Sequence, residues 1–112
     1  MEIIKDKISI NDLKEKSKRL GDFVKAVVDV EKGIMAVDAE FHADLEALML
    51  EQGSGQKYLW GINIYPEETG EAFVEFDSMI NLRPGQENRS RGVESEEIRK
   101  KIIIIVNNLI ER

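Results

Sequence analysis

The sequence predicts an α+β domain in which an antiparallel sheet of two hairpins, about four strands, packs against helices. Three observations support this fold class. Apolar residues alternate with polar ones in several short segments, glycine-containing turns separate these segments, and apolar residues recur at helical spacing near the C-terminus. We expect the N- and C-terminal helices on one face of the sheet and a short helix between the hairpins.

The first predicted helix runs from about Ile10 to Leu20. Ser9 precedes it, and the acidic Asp12 follows Ser9 by three residues, which is a variant of the capping box that begins many helices. Gly21 is placed to end the helix, because a residue without a Cβ atom adopts the left-handed conformation that commonly closes helices.

The first hairpin is predicted from residues 23–30 and 34–37. Its turn, residues 31–33, contains a glycine, as short hairpin turns often do. Lys25 and Asp29 face away from the apolar side of the first strand. That apolar side carries four small or β-branched residues: Val24, Ala26, Val28 and Val30.

Residues 39–51 fit either a helix or a strand. Phe41, Leu45 and Leu48 recur at helical spacing, whereas Phe41, Ala43 and Leu45 also alternate as in a strand. We favour a helix, because residues 45–50 are mostly aliphatic helix formers and the glycines of the following segment are a credible stop.

The second hairpin is predicted from Leu59–Tyr65 and Ala72–Phe76, with a turn over residues 66–70. Its first strand directs three large apolar residues to one face: Trp60, Ile62 and Ile64. The second strand places Val74 and Phe76 inward and Glu75 outward. We expect it to continue through Ile80 and Leu82.

The last predicted element is a helix that begins near Ser95, a suitable N-cap, with Glu96 and Glu97 in the first turn where acids suit the helix dipole. Residues 102–106 are all β-branched, so a strand is the alternative. The helix is favoured because one face is polar and the other is an apolar stripe. Ile104 projects to the polar side. The stripe contains Ile98, Ile102, Ile105, Val106 and Leu109.

Composition indicates one globular domain spanning residues 1–112, with 42% hydrophobic and 34% charged residues. Cysteine is absent, which excludes disulfides, thiolate metal sites and a cysteine nucleophile. The longest apolar run, residues 102–106, is too short to span a membrane, and the N-terminus has no signal-peptide pattern. We therefore expect a cytoplasmic protein without membrane association. No cofactor is indicated.

Charge is distributed unevenly along the chain, whose net charge is -6. Residues 33–80 contain one lysine against ten acids, whereas the segments on either side are slightly basic. Proteins that bind duplex nucleic acid need a basic surface to neutralise phosphates. We therefore expect no duplex nucleic acid as a partner.

Residues 81–92 form a turn-rich loop with three arginines, and this loop is the first candidate site. The guanidinium group is a planar fork of donors suited to phosphate or carboxylate. The hypothesis is an anion pocket that binds a phosphate, a nucleotide or an acidic peptide. The alternatives are internal pairing with acids such as Glu75 and Asp77, and a subunit contact. The residues of the pocket are Arg83, Asn88, Arg89, Ser90 and Arg91.

His42 is the only histidine and the second candidate. With Asp44 it is a candidate for general acid–base catalysis. If residues 40–46 were extended, Glu40, His42, Asp44 and Glu46 would line one face, as in an oxygen-rich metal site. A helix would scatter these four side chains, and a single histidine falls short of the usual zinc pattern. No metal site is therefore predicted.

Three other features bear on binding. Residues 53–55, Gly-Ser-Gly, lack the Gly-Lys-Ser/Thr ending of a phosphate-binding loop and are interpreted as a linker. Trp60 is placed in the core by its alternation rather than in a base-stacking site. Asn63 and Tyr65 share the opposite face with Gly61, which suggests an exposed site on the sheet surface.

Several motifs resemble a family of small prokaryotic proteins catalogued as a domain of unknown function. The resemblance covers nearly the whole chain, and it implies a single-domain cytoplasmic prokaryotic protein without an established activity, substrate or cofactor. The motifs are Phe41-His42-Ala43-Asp44, Gly53-Ser54, the run Leu59–Pro66, Phe76-Asp77-Ser78, Asn81-Leu82-Arg83-Pro84 and Asn88-Arg89-Ser90-Arg91.

Two classes of function follow. The preferred class is a binding module whose arginine loop captures a small anionic ligand or an acidic protein partner; association into a homodimer through the exposed sheet or the final helix is left open. The alternative is a small phosphate-directed hydrolase or nuclease in which the arginines bind phosphate while His42 and Asp44 transfer protons. The alternative requires His42 to lie close to the arginine guanidinium groups.

Overall fold

The computed structural model describes residues 1–112 and shows an α+β fold with a five-stranded antiparallel sheet and three helices. The helices are α1 (Ile10–Ser17), α2 (His42–Glu51) and α3 (Glu96–Leu109). The strands are β1 (Glu2–Ile4), β2 (Ile8–Ser9), β3 (Val24–Asp29), β4 (Ile34–Val37), β5 (Leu59–Ile64), β6 (Val74–Glu75) and β7 (Ile110–Glu111).

The sheet order is β1-β4-β3-β5-β6, so both predicted hairpins form and β3 joins them by pairing with β5. The expectation of four strands is corrected by β1, which pairs antiparallel with β4 at the edge. A strand of three residues is too short to show an alternating pattern in the sequence. The predicted continuation of the last strand through Ile80 and Leu82 is also wrong, because residues 79–81 form a 3-10 turn.

A second, two-stranded sheet connects the ends of the chain. Strands β2 and β7 pair in parallel, with Ile8 opposite Ile110. Each strand has two residues, and the pairing joins segments about as far apart in sequence as the chain allows. Sequence patterns do not reveal so short a long-range pair.

Helices cover both faces of the five-stranded sheet. Helices α1 and α3 share one face, where Leu13, Ile102 and Val106 pack with Trp60 and other strand residues in a core of 18 buried side chains. Helix α2 covers part of the other face over a second, smaller core. This smaller core contains Val27, Ala36, Leu45, Met49 and Leu59.

Serine side chains begin two of the three helices, as predicted. The Ser9 hydroxyl accepts a hydrogen bond from the Asp12 amide (3.0 Å), and the Ser95 hydroxyl accepts one from the Ile98 amide (3.2 Å). Helix α1 ends at Ser17 rather than near Leu20. Residues 39–51 resolve in favour of a helix, although α2 begins at residue 42. None of the helices is long and apolar enough to cross a membrane.

Asp29 faces the side of β3 that was expected to be polar, but it is buried. Its carboxylate accepts hydrogen bonds from the amides of Glu31 (2.8 Å) and Lys32 (2.9 Å) and from the Ser54 hydroxyl (2.7 Å). These bonds fix the hairpin turn and attach the segment after α2 to it. A buried carboxylate is tolerated here because its oxygens are satisfied by donors.

Gly61 allows the segment after β6 to pack directly on β5. The Asn81 side chain accepts a hydrogen bond from the Gly61 amide (2.8 Å) and donates to the Gly61 carbonyl (3.0 Å). A Cβ atom at position 61 would lie 2.6 Å from Ser78 Cβ and Oγ and 3.1 Å from His42 Cδ2. The space above Gly61 is therefore filled by two other side chains.

Replacing Gly61 with alanine is expected to lower the free energy of unfolding by about 1–3 kcal/mol, the usual cost of overpacking. Gly85→Ala is the matched control, because a Cβ atom there meets nothing within 4 Å. Urea denaturation of both variants measures the difference. Equal stabilities would show that Ser78 and His42 can move away from Gly61 without loss.

Candidate functional site

Arg83, the first arginine of the predicted loop, is bound to the backbone. Its guanidinium donates to the carbonyls of Ile80 (3.0 Å) and Gln56 (3.0 Å) and to that of Leu59. It also lies 4.6 Å from the centre of the Trp60 ring. Burial lowers the pKa of Arg83 from its ordinary value. Each of the three guanidinium nitrogens therefore donates to a backbone carbonyl, and the side chain holds the chain before β5 against the loop.

Asn88 is buried and also holds the loop together. Its side-chain nitrogen donates to the carbonyls of Asn81 (2.7 Å), Gly92 (2.8 Å) and Ser90 (3.2 Å). Its side-chain oxygen accepts from the Glu94 amide (2.8 Å). No atom of this amide is left for a ligand, so the residue shapes the loop.

The remaining predicted loop residues lie on the surface in three different situations. The Arg89 side chain is exposed and has no partner in the chain, although its backbone amide donates to the Glu94 carboxylate. The Ser90 hydroxyl accepts from the Gly92 amide (3.2 Å). Arg91 donates from Nε to Asp77 Oδ1 (2.7 Å), which leaves Nη1 and Nη2 without partners.

Arg91 and His42, which were predicted in separate candidate sites, line one cavity of about 180 Å³. We call it the His42 cavity. It lies between β3, the start of α2, the turn after β6 and the arginine loop. Its lining does not include the other predicted site residues, which are Arg83, Asn88, Arg89, Ser90 and Asp44. The lining consists of Lys25, Phe41, His42, Ala43, Ser78, Met79, Ile80 and Arg91.

His42 is the first residue of α2 and is only 8% exposed. Its Nε2 atom lies 2.8 Å from the Ile62 carbonyl oxygen, which can only accept, so Nε2 carries the proton and Nδ1 the lone pair. Nδ1 has no partner in the chain. Burial lowers the pKa of His42 below 6.5, and the charges of Lys25 and Arg91 act in the same direction. The imidazole is therefore neutral at pH 7 and presents an acceptor.

Lys25 is the charged residue of the cavity that was not predicted to belong to a site. Its ammonium donates to the Glu40 carbonyl (2.6 Å) and lies 5.7 Å from the centre of the Phe41 ring. It forms no ion pair, although the chain is acidic and contains eight other pairs. Its charge is thus uncompensated, and two of its three donor positions are available.

The N-terminus of α2 lacks the cap that α1 and α3 have. Phe41 occupies the N-cap position and supplies no side-chain hydrogen bond. The amides of His42 and Ala43 have no acceptor within the chain. Because these amides and the helix dipole give the end of α2 a partial positive charge, it adds to the positive potential of the cavity.

The polar residues next to the cavity are bonded to each other. Asn63, expected to be exposed, is 6% exposed, because the chain after β6 covers it. Its side-chain nitrogen donates to Glu75 Oε1 (2.8 Å), and the Tyr65 hydroxyl donates to the same oxygen (3.1 Å). Burial and the Glu75 carboxylate raise the pKa of Tyr65. Glu75 is therefore held by its neighbours. Asn63 on β5 lies between Glu75 on β6 and Lys25 on β3.

A larger hollow of about 610 Å³ lies between β6 and α3, at a distance from these groups in the fold. Its apolar wall includes Ile104, which is 59% exposed as the helical pattern predicted. Its two basic side chains already have partners: Lys100 pairs with Glu96, which also lines the hollow, and Arg99 donates to two backbone carbonyls. The His42 cavity is smaller but has unpaired donors and an unpaired acceptor.

Metal binding finds no support in the positions of the acidic residues. Because residues 42–51 are helical, Glu40, His42, Asp44 and Glu46 do not share a face. No group of three or more histidine, aspartate or glutamate side chains is arranged to hold a metal ion.

The fold and the cavity define a small α+β protein with a cationic hollow at the start of a helix. Residues 2–109 match the family described as Protein of unknown function (DUF5674), and the chain belongs to this family. This confirms the resemblance to a domain of unknown function; the prokaryotic origin stays a prediction. No curated protein and no solved structure matches the chain.

Replacing Arg83 with methionine is expected to lower the free energy of unfolding by about 1–3 kcal/mol, because carbonyls lose their donor. Arg83→Lys should recover little, since one ammonium cannot reach three separated carbonyls. Arg89→Met is the control and should change stability by less than about 0.5 kcal/mol. Urea denaturation is the measurement. A stable Arg83→Met variant would mean that the loop holds its position without this side chain.

The lowered pKa of His42 predicts a stability change with pH. The unfolded chain binds a proton near pH 6.5, whereas the folded chain resists it. The stabilising contribution is therefore complete above pH 6.5 and is lost as the pH falls through the folded-state pKa. His42→Gln can still donate to Ile62 but does not titrate. Between about pH 7.5 and pH 5 the wild type should lose more stability than this variant. Equal losses of stability in the wild type and the variant, measured by denaturant titration at each pH, would show that His42 is not the group responsible.

Proposed function

We propose that this protein binds a small anion, such as a phosphate or carboxylate group, in the His42 cavity. The supporting observation is that three sources of positive potential converge there: the Lys25 ammonium, the Arg91 guanidinium and the uncapped start of α2. They do so in a chain with a net charge of -6. The proposal keeps the binding module that the sequence favours. Of the arginines in the predicted loop, it assigns only Arg91 to the anion site.

The donors around the cavity are the kind that capture oxyanions. Arg91 has Nη1 and Nη2 unpaired while Asp77 fixes its Nε edge, so the guanidinium is oriented before a ligand arrives. Lys25 adds a charged donor from β3, and the amides of His42 and Ala43 add uncharged ones. Backbone amides at a helix start combined with charged side chains are a common anion-binding arrangement.

The same arrangement also brings two cations and two unpaired amides close together. Lys25 and Arg91 both lower the pKa of His42, so both cations act on the same small region. Like charges that share a site repel each other, and unpaired helix amides lose hydrogen bonds. A bound anion would relieve both effects. Groups that cost stability in the empty protein are frequent at binding sites.

Phosphate-directed hydrolysis is the second candidate, and one observation favours it. His42 and Arg91 line the same cavity, and the unpaired Nδ1 of a neutral imidazole is a suitable general base. Asp44 is exposed and does not line the cavity, so its proposed part in proton transfer has no geometric support. Asp77 pairs with Arg91, so the structure places this carboxylate beside one of the cavity residues.

The binding proposal is tested with inorganic phosphate and acetate as probes, at constant ionic strength against chloride. At about ten times the dissociation constant, either ion should stabilise the wild type by about 1.4 kcal/mol. Amide NMR should place the largest shifts at His42 and Ala43. Lys25→Met and Arg91→Met should each weaken binding about tenfold or more, because each removes a charge-assisted hydrogen bond.

Arg89→Met is the matched control, since Arg89 belongs to the same loop but not to the cavity. It should bind both probes as the wild type does. The proposal fails if neither ion perturbs the amides at the start of α2, or if Arg89→Met and Arg91→Met lose binding equally. The second result would indicate general attraction to a basic loop.

A further inference from the structure

The mouth of the His42 cavity is apolar, and this observation extends the proposed function. Phe41 is 61% exposed and Met79 is 62% exposed, and both line the cavity together with Ala43 and Ile80. Exposed large apolar side chains are few in this chain, and two of the six lie at this opening. A clustered pair beside unpaired polar groups is typical of a ligand site rather than of ordinary surface.

Phe41 stands where a helix normally has a capping side chain. Serine, threonine, asparagine or aspartate at this position would accept a hydrogen bond from the first-turn amides. Phenylalanine cannot, and the Ala43 amide remains unpaired. A ligand carboxylate at this point would supply the missing acceptor, while the part of the ligand that follows would meet the Phe41 ring.

The charge of the cavity suits one negative charge. Lys25 and Arg91 contribute two positive charges, and Asp77 neutralises one of them through its ion pair with Arg91. A carboxylate would balance the remainder, whereas a doubly charged phosphate would leave a negative charge in an acidic protein. His42, nine-tenths buried with Nδ1 unpaired, adds a polar contact inside the cavity.

The volume of the cavity also favours an organic ligand. About 180 Å³ is roughly six times the volume that one water molecule takes up in the liquid. A carboxylate group fills part of this space, and several carbon atoms fit beside it. Longer or wider apolar parts would extend over the rim between Phe41 and Met79.

We infer that the ligand of the His42 cavity is a monocarboxylate with an apolar body, its carboxylate held by Lys25, Arg91 and the Ala43 amide and its body placed between Phe41 and Met79. The inference rests on the proposed function, because it names the class of anion for the same site. It differs from that function by assigning part of the affinity to apolar contacts.

The test compares acetate, butyrate, hexanoate and 3-phenylpropionate with inorganic phosphate, with hexanamide as the uncharged analogue. Affinity is read from amide NMR titrations of the full chain. We expect affinity to rise by up to about fourfold for each added methylene that becomes buried. Hexanamide should bind about tenfold or more weakly than hexanoate, because it lacks the charge.

Phe41→Ala and Met79→Ala should remove the dependence on chain length and leave acetate binding in place. Leu50→Ala is the control, because Leu50 is an exposed apolar residue of α2 that lies outside the cavity. It should preserve the dependence.

The outcomes separate this inference from the proposed function. If phosphate and acetate bind at the start of α2 but longer carboxylates bind no better, the anion site stands and the apolar assignment is overturned. If the chain-length dependence survives in both Phe41→Ala and Met79→Ala, the apolar body lies elsewhere and the inference is also wrong. If no anion binds, both proposals fail.

Discussion

The contact between Gly61 of β5 and the segment that follows β6 is the constraint on which the site depends. Asn81 bonds to both backbone groups of Gly61 and donates to the Arg91 carbonyl (2.9 Å), so one buried amide fixes the strand and the loop together. Ser78 and His42 fill the space that a larger residue at 61 would need. The positions of His42 and Arg91 in one cavity therefore follow from a glycine on the strand between them.

The arginine loop divides its polar groups between folding and surface exposure. Arg83 and Asn88 are bound to backbone carbonyls, and Glu94 accepts from the loop amides, so these residues define the shape of the loop. Internal pairing with an acid occurs at Arg91, where it orients the side chain without using its terminal nitrogens. A cluster of arginines in a sequence thus contains residues with different tasks, and burial distinguishes them.

Local signals in the sequence were sufficient for much of the fold. Ser9 and Ser95 cap helices because a cap involves only neighbouring residues, and the hairpins follow from alternation and a glycine turn. The edge strand β1 and the β2–β7 pair are too short for a pattern. The cavity draws on four separated segments, at 25, 41–43, 78–80 and 91. Lys25 was not predicted as a site residue. An alternating strand pattern shows that a lysine side chain points away from the core, but it does not show that the lysine has no carboxylate partner.

The cavity lies at the start of α2, which is the helix with the smaller core. Helix α2 packs over a core of five buried residues, whereas α1 and α3 share one of 18. Helix α2 is also the helix without a cap. Local stability follows buried apolar contacts and satisfied hydrogen bonds, so the start of α2 is expected to open more readily than the other helices. An anion that accepts from its first amides would add the missing bonds there, and occupancy of the cavity would tighten this helix more than the rest of the protein.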